Sequence, residues 1–272
     1  MKYVTLFFDT EGFWEAPYKG TFNEEENVNR ILKILTKYNV VGVFNTCGIL
    51  GELYPDMIKT ISKKGHEIAS HGYMHENFVQ LNKTELNTVL EKTEKLFENL
   101  TGKKVMGFRS PWTLNNKIVY EVANHRGYKW ASNKYIPFPE IFSNPSNRSN
   151  STYRLAKIVL KFQHLFYKKE PYMNNGLIEI PLLSSIDGDL LGIMNYWQES
   201  PQEWLDYAYD SFIKQFNNSE KYFNLNVHPW LIGSANRPEL LDDILNYISR
   251  QDVKFVLAKE LVENVLNDKE RL

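Results

Sequence analysis

The stretch Glu67-Ile68-Ala69-Ser70-His71-Gly72-Tyr73-Met74-His75 reads as a short buried strand opening into a loop that carries two imidazoles four residues apart. An apolar run this short suits a strand. Imidazoles at i and i+4 can reach one metal ion from such a loop, and they would share a face even if the segment turned helical. An HxxxH spacing alone is a weak pattern that a surface helix carries by chance. Its meaning depends on what the rest of the chain brings to the same place.

The same layout recurs on both sides of this stretch. Residues 3–8 predict a buried strand that delivers Asp9-Thr10-Glu11-Gly12 at its end. Strand residues i and i+2 project to one side, so Asp9 and Glu11 point together. Val28, Ile31, Leu32 and Leu35 fall at helical spacing and predict a helix over 24–38. Residues 40–45 predict a second strand, 53–64 one helix capped by Gly65, and 66–70 the third strand. Asn82 and Glu85 form a helix start whose apolar stripe runs to Gly102. A strand over 105–108 then ends in Arg109-Ser110-Pro111-Trp112, a helix over 115–126 closes at Gly127, and 128–132 predict a fifth strand.

Regularity fails over 134–176, which reads as an insertion. Residues 143–152 are rich in Asn, Ser and Pro, and in the basic segment that follows Leu155, Ile158, Val159, Phe162, Leu165 and Phe166 alternate with lysines. The plainest expectation is a helix packed on the main body; covering the active site, meeting a second subunit and lying on a membrane surface stay open. The alternation resumes with a strand over 177–182, a helix over 201–216 and a strand over 223–227 that ends in His228-Pro229-Trp230. A helix over 239–249, a strand over 254–257 and a terminal helix complete it.

Alternating strands and helices force a parallel sheet, and 272 residues without a visible linker or repeat suit a single α/β domain. The expected fold is a parallel (β/α) barrel of seven to eight strands, with a doubly wound open sheet as the competitor. The polar residues favour the barrel. Asp9 and Glu11, His71 and His75, Arg109, and His228 each follow the C-terminal end of a different strand, the rim where barrels place their chemistry. Along an open sheet they would spread apart.

Composition narrows the function. Lys+Arg number 32 against Asp+Glu 33, so no basic excess points to nucleic acid. The 14% aromatic content is compatible with a carbohydrate-sized cleft. The N-terminal apolar run is broken by Asp9, too early for a signal peptide, and no stretch is long enough to span a bilayer. Cys47 is the single cysteine, expected to be buried and inert, which fits a reducing, cytoplasmic location.

One carboxylate and two imidazoles form a hydrolytic metal set that leaves a position for water, so Glu11, His71 and His75 are the candidate ligands of a divalent ion. Zinc is the first expectation, and Co, Ni or Fe accept the same donors. Asp9 is the candidate base, with exchange of roles between Asp9 and Glu11 left open. Arg109 is placed to hold Asp9 ionised, and His228 to act as general acid for a leaving amine. His66, His125 and His164 are expected to be structural.

Asp9-x-Glu11, His71-x-x-x-His75, Arg109-x-Pro111-Trp112 and His228-Pro229 occur in the order of the motifs of the polysaccharide deacetylase family, and Gly65-His66-Glu67-Ile68-Ala69-Ser70-His71-Gly72 strongly resembles its second motif. The resemblance implies a distorted (β/α) barrel, metal-dependent hydrolysis of N-acetyl groups on an amino-sugar glycan or its precursor, and a role for the Trp112 backbone N–H in stabilising the oxyanion. Two departures stand out. Many members have adjacent aspartates where this chain has Asp9-Thr10-Glu11, and no Asp follows the fifth strand in Tyr128-Lys129-Trp130-Ala131-Ser132-Asn133. His228-Pro229-Trp230-Leu231-Ile232-Gly233, with Arg237 beyond, also resembles an allantoinase-like branch that hydrolyses cyclic amides. The substrate, a carbohydrate or a small amide, and homo-oligomerisation both stay open.

Overall fold

A computed structural model describes residues 1–12, 23–136, 152–184, 186–189 and 199–269. Its central strand is β1, Lys2–Thr10, buried from Val4 onward. A parallel strand covered on both faces tolerates a continuous apolar run, which is why Val4, Leu6, Phe7 and Phe8 need no polar alternation. β1 runs parallel to β2 (Val43–Thr46) at one end of its length and to β8 (Tyr222–Val227) along most of it. β9 (Val253–Phe255) pairs with its first residues.

From β2 the sheet continues through β3 (Glu67–Ser70), β4 (Gly107–Phe108), β5 (Trp130–Ala131) and β7 (Leu177–Glu179) to β6 (Tyr172–Asn174). Among the described residues the ladder is open between β7 and β8. Residues 180–184 cross that gap beside β8 on polar bonds: the Leu183 N–H donates to Asn224 Oδ1 at 2.9 Å, Asn224 Nδ2 to the Pro181 carbonyl at 2.6 Å, and the Asn226 N–H to the Ser184 carbonyl at 2.8 Å. The expected α/β barrel is present as a curled, mostly parallel half-barrel.

The surrounding helices are α1 (Glu24–Lys37), α2 (Gly48–Leu53), α3 (Pro55–Lys63), α4 (Lys83–Thr101), α5 (Lys117–His125), α6 (Thr152–Phe166), α7 (Ile186–Asp189), α8 (Gln202–Asn217), α9 (Pro229–Ile232), α10 (Arg237–Ile248) and α11 (Ala258–Lys269). The stripes that predicted α1 and α10 are buried in full, whereas α4 buries Leu86 and Leu90 of its stripe together with Thr93 and Phe97. α4 begins with a capping box between Asn82 and Glu85 and ends at Gly102 in the left-handed conformation.

Two expectations need correction. The helix expected over 53–64 is α3, which starts at Pro55, and a further short helix, α2, precedes it unpredicted; the two are separate because Pro55 disfavours a helical conformation at Tyr54, which sits at φ −133° and ψ 60°. The sheet also contains an antiparallel strand: β6 and β7 form a hairpin through Asn175 and Gly176, both with positive φ (48° and 86°). Asn-Gly is the preferred pair for such a turn, and it lies inside the segment read as an insertion. Residues 143–151 of that segment lie outside the described residues, and no described helix is long and apolar enough to cross a membrane.

Candidate active site

Parallel pairing of β1, β2, β3 and β8 brings the ends of these strands level, so residues far apart in sequence meet at one rim. Glu11, His71 and His75 are buried there, with one ligand atom from each lying within 4.8 Å of the others. Glu11 Oε2 is 2.9 Å from His71 Nε2 and 2.8 Å from His75 Nε2. His71 Nδ1 lies 2.9 Å from the Arg109 carbonyl oxygen, which can only accept, so Nδ1 carries a proton and Nε2 is the nitrogen turned toward Glu11. Two imidazoles and a carboxylate converging in this way, with one tautomer pinned from behind, fit a divalent cation.

The loop that presents His75 is held by a carboxylate absent from the expected site. Glu76 accepts from the Tyr73 and Met74 N–H groups, both at 2.9 Å. Gly72 has φ 78°, and a Cβ there would come within 2.7 Å of Glu76 Oε2. His75 itself adopts φ 55° and Trp112 φ 52°, two left-handed non-glycine residues whose rings meet edge to face at 4.3 Å. Left-handed backbone in large side chains is costly and persists only where the surroundings enforce it.

Asp9 is engaged differently. Arg109 Nη1 donates to Asp9 Oδ1 at 2.6 Å, Asn45 Nδ2 to the same oxygen at 2.7 Å, and Asn226 Nδ2 to Oδ2 at 3.1 Å. Burial pushes the Asp9 pKa up, but the Arg109 charge, then those of His71 and His228, outweigh it, so the carboxyl is held below its ordinary range. Arg109 is fully buried, its Nε donating to the Ser132 carbonyl at 3.0 Å and Nη2 to Ser132 Oγ at 2.8 Å. The geometry separates the two acids: Glu11 faces the imidazoles, and Asp9 faces the guanidinium and two amides.

His228 lies with Nε2 3.8 Å from Glu11 Oε1 and Nδ1 3.2 Å from Asp187 Oδ1. No Asp follows the fifth strand, and the question of what serves His228 in its place is answered by Asp187, from α7, which also accepts from the His228 N–H. Burial lowers the His228 pKa, but Asp187 and then Glu11 and Asp9 raise it further, to about 10, so the ring is protonated at neutral pH. A cation beside it would act in the opposite direction. Sequence reasoning missed Asp187, Asn45, Asn226 and Glu76; Asn45 had a signal, since the residue ending β2 must face the strand-end acids of β1. Arg237 is buried and bonds to Ser200 Oγ at 3.0 Å and Ser234 Oγ at 2.8 Å, a structural role. His66 is structural as expected, accepting from the Gly42 N–H at 3.1 Å.

A family model described as polysaccharide deacetylase matches residues 1–131. A peptidoglycan deacetylase of Helicobacter pylori is 24% identical over 268 residues, covering 91% of this chain and 86% of that protein. Over its first 131 residues the chain matches the polysaccharide deacetylase family, and the likeness to the Helicobacter pylori protein runs along nearly its whole length.

Other polysaccharide deacetylase relatives match over shorter stretches. A peptidoglycan-N-acetylglucosamine deacetylase of Bacillus cereus is 32% identical over 83 residues, 30% of each chain. Among solved structures, a Mycobacterium smegmatis protein assigned to the polysaccharide deacetylases superposes with TM-score 0.73 at 20% identity, covering 98% of this chain and 91% of that one. A family 4 acetyl xylan esterase from Clostridium thermocellum, solved with a cobalt ion, gives TM-score 0.58 at 16% identity over 96% and 90% of the two chains. These structures share the fold of the polysaccharide deacetylase family.

Proposed function

We propose that this chain is a metal-dependent amide hydrolase that removes N-acetyl groups from amino sugars in a peptidoglycan-type glycan or its precursor. The observation that carries the reading is the separation of roles at one rim: Glu11, His71 and His75 converge on each other while Asp9 is held apart by Arg109. A divalent cation held by the three ligands would supply Lewis acidity, lowering the pKa of water and polarising the amide carbonyl. Zinc is the proposed ion on donor chemistry.

Asp9 takes the proton of the attacking water, its basicity set by Arg109, Asn45 and Asn226. His228, protonated and aimed by Asp187, gives a proton to the departing amine nitrogen, which would otherwise leave as a poor amide anion. Trp112 beside His75 lines the mouth, and its backbone N–H is the proposed partner of the developing oxyanion. A cytoplasmic location, suggested by the lone buried Cys47, belongs to the same proposal.

Acetate release from N-acetylglucosamine oligomers tests the reading. Activity should vanish with a chelator, return with zinc or cobalt, and fall by roughly 10²–10⁴ in Asp9→Asn with bound metal retained. Ring opening of allantoin without acetate release from any acetylated sugar would overturn it.

A further inference from the structure

Residues 141–169 contain no Asp or Glu, yet Arg154, Lys157, Lys161, Lys168 and Lys169 fall within them, in a chain whose formal charge is −1. This basic run contains α6. Its orientation is the reverse of a helix that merely packs on a core. The half-buried positions are Lys157, Leu160 and His164, whereas Ile158, Val159, Phe162, Leu165 and Phe166 are exposed, the last three by 61%, 76% and 74%. At 100° per residue those five apolar side chains fall within one sector roughly 120° wide.

The ridge is preassembled. Phe162 and Phe166 meet edge to face at 5.2 Å. Just beyond the helix, the Tyr167 hydroxyl lies 2.6 Å from the Lys134 carbonyl and 3.0 Å from that of Leu182, fastening this end to the body. On the inner side of α6, facing α8, a cleft of about 350 Å³ is lined by Lys161, His164, Lys169 and Lys214 with Leu183 and Phe223.

We infer that α6 is an interfacial helix that seats the protein on an anionic phospholipid surface, its Phe–Leu ridge among the acyl chains and its lysines at the phosphates. An aromatic and aliphatic face flanked by lysines is the pattern of helices that lie in the bilayer plane. Charge complementarity selects lipid over a second copy of the chain. Packing α6 on its own twin would bring two acid-free basic segments together, whereas the exposed Lys161, Lys168 and Lys169 gain from an anionic headgroup layer. The inference rests on α6 alone and is independent of the deacetylase reading.

Co-sedimentation of the full chain with vesicles tests it. Binding to phosphatidylglycerol-containing vesicles is expected to exceed binding to pure phosphatidylcholine by at least about tenfold and to weaken as salt screens the lysines. Phe162→Ser combined with Phe166→Ser should lower the partition coefficient by about tenfold or more with an unchanged melting temperature, since both side chains face outward. Absence of binding to phosphatidylglycerol vesicles at low salt, or binding that survives the double substitution, overturns the proposal. So does a wild-type dimer that the double substitution converts to monomer without any vesicle binding.

Discussion

At position 228 a single ring reports the electrostatics of the whole rim. Asp187 is the leading cause of its raised pKa, ahead of Glu11 and Asp9. A general acid must be protonated in the free enzyme, so kcat/KM should fall as pH rises through the His228 pKa. Removing the Asp187 charge lowers that pKa, so Asp187→Asn should move the basic limb of the kcat/KM profile toward lower pH. Unlike a packing defect, this leaves the acidic limb in place. The carboxylate was invisible in the sequence because residue 187 follows β7 rather than the fifth strand, and nothing in the local pattern announces its partner. Asp9 and Glu11, by contrast, were legible because a two-residue spacing at a strand end has one geometric meaning.

Among the elements, the loop from His71 to Glu76 is held by an acid whose carboxylate accepts from two backbone N–H groups of the same loop. Glu76→Ala would release the Tyr73 and Met74 N–H groups that hold the His75 backbone in its left-handed conformation. Metal affinity measured by competition with a chromophoric chelator should fall roughly 10- to 100-fold, the usual effect of losing an outer support of a ligand. The α4 capping box makes a separate, purely structural prediction. Asn82→Ala should cost about 1 kcal/mol in urea denaturation, with activity per folded molecule unchanged. That cap was readable because Asn and Glu at a three-residue spacing are a local device. The β6–β7 hairpin carried an equally local Asn175-Gly176 signal, obscured because it sits at the end of the segment, 134–176, that breaks the strand–helix alternation.

For the whole molecule, the buried carboxyl of Glu67 ties β3 to β5 and to the start of α11, accepting from Trp130 Nε1 at 2.9 Å and from the Lys259 N–H at 3.0 Å. Burial is the main influence and lifts its pKa from the ordinary 4.5 to about 7. The folded state then binds more protons than the unfolded chain between those values. This contribution to stability is complete below about pH 4.5 and is lost as pH rises through 7. Glu67→Gln lowers stability by disturbing the two N–H bonds, but it also removes the titration. Its denaturation midpoint should therefore change less between pH 5 and pH 8 than that of the wild type, by urea titration at both values.

The sequence by itself determined the repeating strand–helix order and the acids and histidines at strand ends, and hence the candidate donors of a metal site with Asp9 and Glu11 still interchangeable. These follow from local periodicity and from the rule that parallel strands end on one side. Only the tertiary structure decided that the sheet stays open between β7 and β8, that Asp187 aims His228, that Asn45 and Asn226 hold Asp9, and that the apolar face of α6 turns outward. Each of those depends on side chains from segments distant in the chain reaching one place, a distance that no spacing along the sequence encodes.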